Sequence, residues 1–252
     1  VIFLSIFYLT FYFAFLVNKV IKAEKFNITD IVLLLMNSFI FFDIGYNLLS
    51  LQKNCEDFLG LFTLGNSIIH LLVSLILYGK KSTDRNLFYF ISGLSLIFLT
   101  ISVPVQLEGS WVTLLWAGQA ALLFWIGRTK RVRFYEQLSY LIIVLTFFSL
   151  IHDWSTLYRG YSRNAVNIML FLNRNFLSSL FCIASFTFIN FANYQKRTDE
   201  DYRLRRKWNN FLTNSLLILL LITIYFSFTT EISNYWDQLY RNSTSAVSNS
   251  LK

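Results

Sequence analysis

Long apolar runs separated by short polar connections set the pattern of this chain. Eight runs can be marked, and most of them reach the roughly 17–25 residues that a helix needs to cross a bilayer core. They are continuously apolar and lack the two-residue alternation of membrane β-strands. The pattern therefore predicts an all-α polytopic transmembrane bundle of about eight spans. The predicted spans are Val1–Val17, Ile31–Leu51, Phe58–Tyr78, Leu87–Val103, Trp111–Ile126, Leu138–Ile151, Phe176–Tyr194 and Phe211–Thr230.

Three other segments complete the predicted organisation. Ala165–Leu172 is apolar but too short to cross, so we expect a short interfacial or re-entrant helix on the outer face. The polar tail Arg241–Lys252 is expected to be a loop. Because Val1 opens inside an apolar run, we interpret residues 1–252 as one transmembrane region cut from a longer protein, whose remaining spans would be partners.

Composition excludes the soluble classes. Hydrophobic residues make up 55% of the chain and charged residues 14%, with a mean hydropathy of +0.51. Ordinary soluble domains carry roughly 25% charged residues, and disordered chains are poor in hydrophobic ones. A soluble enzyme and a disordered chain are therefore both excluded. The formal charge of +8 is interpreted as a topology signal rather than as a nucleic-acid-binding surface.

The positive charges alternate between the two membrane faces. Sixteen of the 22 basic residues fall in alternate connections, which predicts that these connections are cytoplasmic. The sixteen are Lys19, Lys22, Lys25, Lys80, Lys81, Arg85, Arg128, Lys130, Arg131, Arg133 and the six basic residues from Lys196 to Lys207.

One carboxylate is predicted well inside a span. Asp43 and Asn47 are four residues apart and share a helix face, and Asn66 and His70 have the same spacing in the next span. Both pairs lie at similar depth, so we expect the two polar faces to meet. Such a cluster could pass protons or hold a cation, as in a transporter or ion-coupled carrier. The alternative is that these side chains only join the helices by hydrogen bonds.

A second group of polar residues collects on the predicted outer face. Glu108, His152, Asp153 and Glu231 follow the ends of outward-running spans, and Arg174 lies in the connection before the seventh span. Carboxylates suit acid–base chemistry and arginine suits an anionic group, which would fit an enzyme acting on an envelope lipid or glycan. The alternative is that these charges simply sit at the water interface.

Known catalytic and cofactor motifs are missing from the sequence. It contains no Gly-rich phosphate loop, nucleophile elbow or zinc motif, and we expect neither a cofactor nor a metal. Three classes of function therefore stay open. They are an envelope-related role with an outer-face site, a transporter or ion-coupled carrier, and a structural envelope scaffold without catalysis.

The segment Ile101–Arg128 resembles part of a family of large bacterial membrane proteins known as domain of unknown function 2339. Leu172-Asn173-Arg174-Asn175-Phe176 is similar to an Asn-Arg-Phe element of that family, and Glu231-Ile232 to the acidic end of a later span. The resemblance covers about the last two thirds of the chain. It implies a many-span inner-membrane protein and supplies no reaction. Within Ile101–Arg128, the residues that match the family pattern are Pro104, Gly109, Trp111, Thr113, Leu114, Trp116 and Ala117.

Overall fold

The computed structural model is helical throughout the part of the chain that it describes. That part comprises residues 2–22, 27–52, 56–79, 85–161, 171–194 and 206–250. A short 3₁₀ turn, Glu56–Phe58, precedes the third helix. The helices are α1 (Ile2–Lys22), α2 (Ile28–Ser50), α3 (Leu59–Tyr78), α4 (Arg85–Gln106), α5 (Ser110–Lys130), α6 (Arg133–Tyr161), α7 (Arg174–Tyr194) and α8 (Arg206–Ser250).

The predicted bundle of about eight spans is confirmed. Helices α2 to α8 each contain a segment long and apolar enough to cross a membrane, and the apolar part of α1, Ile2–Val17, is shorter. Many large apolar side chains face outward, including Phe148, Phe191 and Leu221. Such a surface would aggregate in water but is solvated by lipid tails. The chain is therefore a multi-pass membrane protein.

Two predicted segments have different outcomes. Helix α8 has 45 residues, about 68 Å at 1.5 Å per residue, and it continues through Ser250. The expectation that the tail from Arg241 is a loop is therefore wrong for residues 241–250. The expected interfacial helix Ala165–Leu172 lies outside the described residues, except for Phe171 and Leu172, which precede α7.

The first compact unit, Val1–Leu107, contains α1 to α4. Tyr8 and Tyr12 are one turn apart on α1 and are fully buried in its core, where the Tyr8 ring stacks on Phe41 of α2 with centroids 4.2 Å apart. Helices α3 and α4 are joined by a reciprocal pair of hydrogen bonds. The Ser67 hydroxyl donates to the Ser95 carbonyl (2.8 Å), and the Ser95 hydroxyl donates to the Ser67 carbonyl (2.9 Å). Small hydroxyl residues at this crossing let the helices approach closely.

The second compact unit, Glu108–Lys252, contains α5 to α8. Helix α5 packs against both α6 and α7, and α7 packs against α8. Gly127 allows the tight turn from α5 into α6, because a Cβ there would lie 2.7 Å from the backbone nitrogen of Glu136. Consecutive helices run in opposite directions, so the starts of α5 and α7 share one end of the unit with the later part of α8.

Candidate functional site

Two buried carboxylates mark one end of the second unit. We call it the carboxylate end, defined by Asp153 of α6 and Glu231 of α8. Asp153 is 4% exposed and Glu231 is 3% exposed. Within the described part of the chain, neither forms an ion pair with Lys or Arg. A buried carboxylate is costly unless polar partners surround it, so the neighbouring hydrogen bonds decide whether these groups are tolerated.

Asp153 ends an ordered chain of hydroxyl groups. The Thr113 hydroxyl donates to Asp153 Oδ2 across 2.6 Å, and it lies 2.7 Å from the hydroxyl of Ser149. Because Thr113 gives its only hydroxyl proton to the carboxylate, Ser149 must be the donor to Thr113. This chain of hydrogen bonds from Ser149 through Thr113 to Asp153 connects α5 and α6. The bond from Thr113 to Asp153 is short because its acceptor is a carboxylate.

The residue after Asp153 connects α6 to the other two helices. The Trp154 indole N–H donates to the Ser179 hydroxyl on α7 (3.2 Å), and its ring stacks on Phe226 of α8 with centroids 5.6 Å apart. On the same end of the unit, the Ser110 hydroxyl of α5 donates to the Asn175 side-chain oxygen of α7. The carboxylate end therefore joins α5, α6 and α7 through polar contacts and α6 to α8 through ring stacking.

Glu231 holds the segment that enters α7. Its Oε1 accepts a hydrogen bond from the Asn173 side-chain nitrogen (2.6 Å), and its Oε2 accepts one from the Phe171 backbone nitrogen (3.4 Å). Phe171 has a φ of +60°, a left-handed conformation that is uncommon for an aromatic residue. Asn173 Oδ1 also accepts from the Phe176 backbone nitrogen (2.7 Å), which makes Asn173 the N-cap of α7.

The other three predicted outer-site residues are exposed. Glu108 lies between α4 and α5, Arg174 is the first residue of α7, and His152 precedes Asp153 on α6 and interacts with it electrostatically. The structure thus places Asp153 and Glu231 in the interior of the unit and the other three on its surface. Interior acceptors with exposed groups of both signs can bind a polar or zwitterionic molecule. Among the described residues, no group of three His, Cys, Asp or Glu is arranged to hold a metal.

The first unit carries a separate buried polar cluster around His70. Its Nδ1 lies 2.8 Å from the Tyr12 hydroxyl and its Nε2 lies 3.4 Å from the Tyr8 hydroxyl. The imidazole is fully buried and stacks on Phe98 of α4 at 5.4 Å. Asn66, one turn earlier on α3, donates to the Phe62 carbonyl, and its buried Oδ1 has no hydrogen-bond partner among the residues that the structure describes. A buried acceptor without a partner is a costly feature in a membrane interior.

The expected meeting of the two polar faces in this unit is corrected by the structure. Asp43 and Asn47 are exposed, and the Asn47 amide bonds to the backbone oxygen (2.8 Å) and Oδ1 (3.2 Å) of Asp43. The buried stripe of α2 includes Phe41 and Gly45. Asp43 lies two residues from each, about 200° around a helix of 3.6 residues per turn, and therefore faces away from His70.

Some residues of these sites carry weaker signals in the sequence. Asn173 was predictable as a helix cap, because Asn before an apolar run is a common N-terminal signal. Arg128, interpreted from the sequence as a cytoplasmic anchor, forms an ion pair through Nε with Glu136 Oε1 (3.3 Å) and donates to the Asn193 side chain. Glu136 is the acid that follows the basic connection, and this closeness in sequence was the signal available for its ion pair with Arg128. Thr113 gave no signal of its own as the partner of Asp153.

Comparison with known proteins identifies a family and assigns no activity. No curated protein and no solved structure matches this chain. A family model described as "Predicted membrane protein (DUF2339)" matches residues 1–249, so the similarity extends beyond the last two thirds expected from Ile101–Arg128 and later segments. This chain therefore belongs to the DUF2339 family of predicted membrane proteins.

Proposed function

We propose that this membrane protein binds a polar cell-envelope molecule, a lipid headgroup or a glycan, at its carboxylate end. The carrying observation is the burial of Asp153 and Glu231 at one end of a membrane-spanning unit, without an ion-pair partner among the described residues. Carboxylates accept hydrogen bonds from hydroxyl and ammonium groups, and Arg174 on the surface offers a forked donor to phosphate or carboxylate. Glu108 and His152 would contact the same ligand from the exposed rim.

The proposal includes an orientation in a bacterial inner membrane. The carboxylate end faces away from the cytoplasm, because Lys130, Arg131 and Arg133 lie at the opposite end of the second unit, where the positive-inside rule places them. Cysteine labelling in intact cells tests this in a Cys55→Ser background. A membrane-impermeant maleimide should label Ser155→Cys directly and Thr129→Cys only after the membrane is permeabilised. The reverse order of labelling contradicts the orientation.

The ligand is tested by photocrosslinking. A benzophenone amino acid replaces exposed His152 in living cells, and the matched control replaces Val144, which is exposed on the same helix nearer the middle of the span. Adducts that carry sugar or a specific headgroup should form at position 152 and be lost when Glu231→Gln is added. Identical bulk-phospholipid adducts at both positions would remove support for a site and favour the structural-scaffold alternative.

Asp153 is the residue to which we assign chemistry if the bound molecule is turned over. Its carboxylate terminates the Ser149 to Thr113 hydroxyl chain, so a proton leaving Ser149 has an ordered route towards Asp153. Asp153→Asn removes the acceptor charge at nearly unchanged volume. Retained crosslinking with loss of a ligand-derived product would assign an acid–base role, whereas a change in stability alone would assign a structural one.

A carrier function centred on His70 is a second candidate, favoured by one observation. Among the described residues, the buried Asn66 Oδ1 has no hydrogen-bond partner, which leaves acceptor capacity in the middle of the first unit. Proteoliposomes containing a pH-sensitive dye and a K⁺ diffusion potential measure the proton flux that such a carrier would support. Flux that requires His70 and Asn66 supports transport, and flux equal to that of empty vesicles contradicts it.

A further inference from the structure

An open groove runs between α5 and α7 on the surface of the second unit. Its volume is about 380 Å³. The lining residues of each helix are spaced three or four apart, so they form one continuous face. Small side chains leave room in the groove, and at Gly118 an added Cβ would approach only the Phe181 ring, at 3.7 Å. The lining includes the small residues Gly118, Ala121 and Ala184 and the aromatic residues Trp125, Phe181 and Phe188.

The groove lies in one leaflet of the membrane. Both helices contain candidate spans, and Trp125, half exposed, lies one turn before the ion-paired Arg128. Indole rings favour the headgroup level, which puts the Trp125 end of the groove at the membrane interface. From Trp125 to Gly118 the helix rises about 10 Å, within the roughly 15 Å of hydrocarbon in one leaflet. The groove is therefore parallel to the lipid tails of that leaflet.

The size of the groove fits one lipid tail. At about 30 Å³ for a water-sized group, 380 Å³ has room for on the order of ten methylene groups. Because a tail in the bilayer is already out of water, a tail seated there gains dispersion contacts with the side chains that line the groove.

The charge at the interfacial end selects the headgroup. Lys130 ends α5, Arg131 lies in the turn that follows and Arg133 begins α6, and all three are exposed. The nearby carboxylate of Glu136 is engaged by Arg128. Four basic residues from Arg128 to Arg133 and one acid, Glu136, give this end a net positive charge next to Trp125, at the depth where a lipid headgroup would lie. Each basic residue near an anionic membrane surface contributes about 1 kcal/mol of attraction.

We propose that this groove binds one acyl chain of an anionic phospholipid, whose headgroup contacts the basic turn around Lys130. The tail gives affinity through Gly118, Ala121 and the aromatic residues of the lining. The headgroup gives preference over zwitterionic lipids. The site lies at the opposite end of the second unit from Asp153 and does not depend on the function proposed for that end.

Fluorescence quenching tests the proposal on the full chain in phosphatidylcholine nanodiscs. Bromines on the acyl chains quench a nearby indole, and the contribution of Trp125 is the difference between the wild type and Trp125→Phe. Brominated phosphatidylglycerol should quench Trp125 at a several-fold lower mole fraction than brominated phosphatidylcholine. Lys130→Gln should reduce that preference about fivefold, the equivalent of one basic residue.

Filling the groove provides the second variant. Gly118→Leu should abolish the preference for phosphatidylglycerol, whereas Gly65→Leu on α3, whose added Cβ would meet nothing, should leave it unchanged. If Gly118→Leu does not fold, the Lys130→Gln result decides alone. Equal quenching by the two lipids in the wild type overturns the proposal. Concentration-dependent dimerisation that protects Trp125 from both lipids overturns it in favour of a second copy.

Discussion

Asn173 connects the start of α7 to the buried carboxylate of Glu231. Its side-chain oxygen accepts from the Phe176 backbone nitrogen at 2.7 Å, and its side-chain nitrogen donates to Glu231 Oε1 at 2.6 Å. One amide thus caps a helix and solvates a charge on another helix. Asparagine suits this position because it carries an acceptor and a donor on the same short side chain.

Asn173→Asp should therefore destabilise the protein although it preserves the helix cap. Aspartate still accepts from Phe176, but it cannot donate to Glu231 and places a second carboxylate against it. We expect the free energy of unfolding to fall by about 2–4 kcal/mol. Unfolding by SDS in mixed micelles, followed by circular dichroism, measures the change.

The reversed pair is the control for this mechanism. In Asn173→Asp with Glu231→Gln, the donor and the acceptor exchange places, and the hydrogen bond is restored with one negative charge. The double variant should recover most of the stability lost in Asn173→Asp. Additive losses in the two single variants would show that Asn173 and Glu231 act independently.

Thr113→Val should lower stability through the loss of one charge-assisted hydrogen bond. Valine matches threonine in shape and leaves Asp153 Oδ2 without its hydroxyl donor, so we expect a loss of about 1.5–3 kcal/mol. Thr113→Ser keeps the hydroxyl and should lose less. Combined with Asp153→Asn in a double-mutant cycle, Thr113→Val should show a coupling energy of about 1–2 kcal/mol. A coupling near zero would contradict the hydroxyl chain.

The helices were predictable from the sequence because the membrane imposes a minimum apolar length on each of them. The predicted span Leu138–Ile151 has only 14 residues, and the structure extends it to α6 with flanking residues on both sides. The continuation of α8 beyond Thr230 was not predicted, because polar residues outside the hydrocarbon core obey no length rule. Backbone hydrogen bonding continues there regardless, and Ser243 donates back to the Tyr240 carbonyl at 2.8 Å.

The site was predictable only as far as residue type and depth determine it. The sequence places Asp43 well inside a predicted span and Asp153 just beyond the end of another, yet this depth does not decide their exposure. One is exposed and the other is buried, because the rotation of each helix about its axis depends on its neighbours. Helix packing also decides that Thr113 is the partner of Asp153 and that Asn173 is the partner of Glu231. Their assignment requires helix packing, which no local pattern specifies.

Arg128→Lys should lower the stability of the second unit although it keeps the positive charge. The guanidinium contacts Glu136 and Asn193 together and lies 5.1 Å from the Phe124 ring. A lysine ammonium lacks the planar fork that makes these contacts at once, so we expect a loss of about 1–3 kcal/mol. Lys130→Arg, at an exposed position two residues later, is the matched control and should change stability by less than about 0.5 kcal/mol. Equal effects of the two substitutions would contradict a packed role for Arg128.

His70→Phe should destabilise the first unit mainly by leaving the Tyr12 hydroxyl without its partner. Phenylalanine preserves the stacking on Phe98 but removes the nitrogen that lies 2.8 Å from Tyr12, and a buried hydroxyl without a partner costs about 1–3 kcal/mol. Adding Tyr12→Phe removes the orphaned hydroxyl as well, so the double variant should be more stable than His70→Phe alone. SDS unfolding of the two proteins measures the difference. Further destabilisation in the double variant would mean that Tyr12 contributes through packing or through another partner, and that the imidazole is not what holds it.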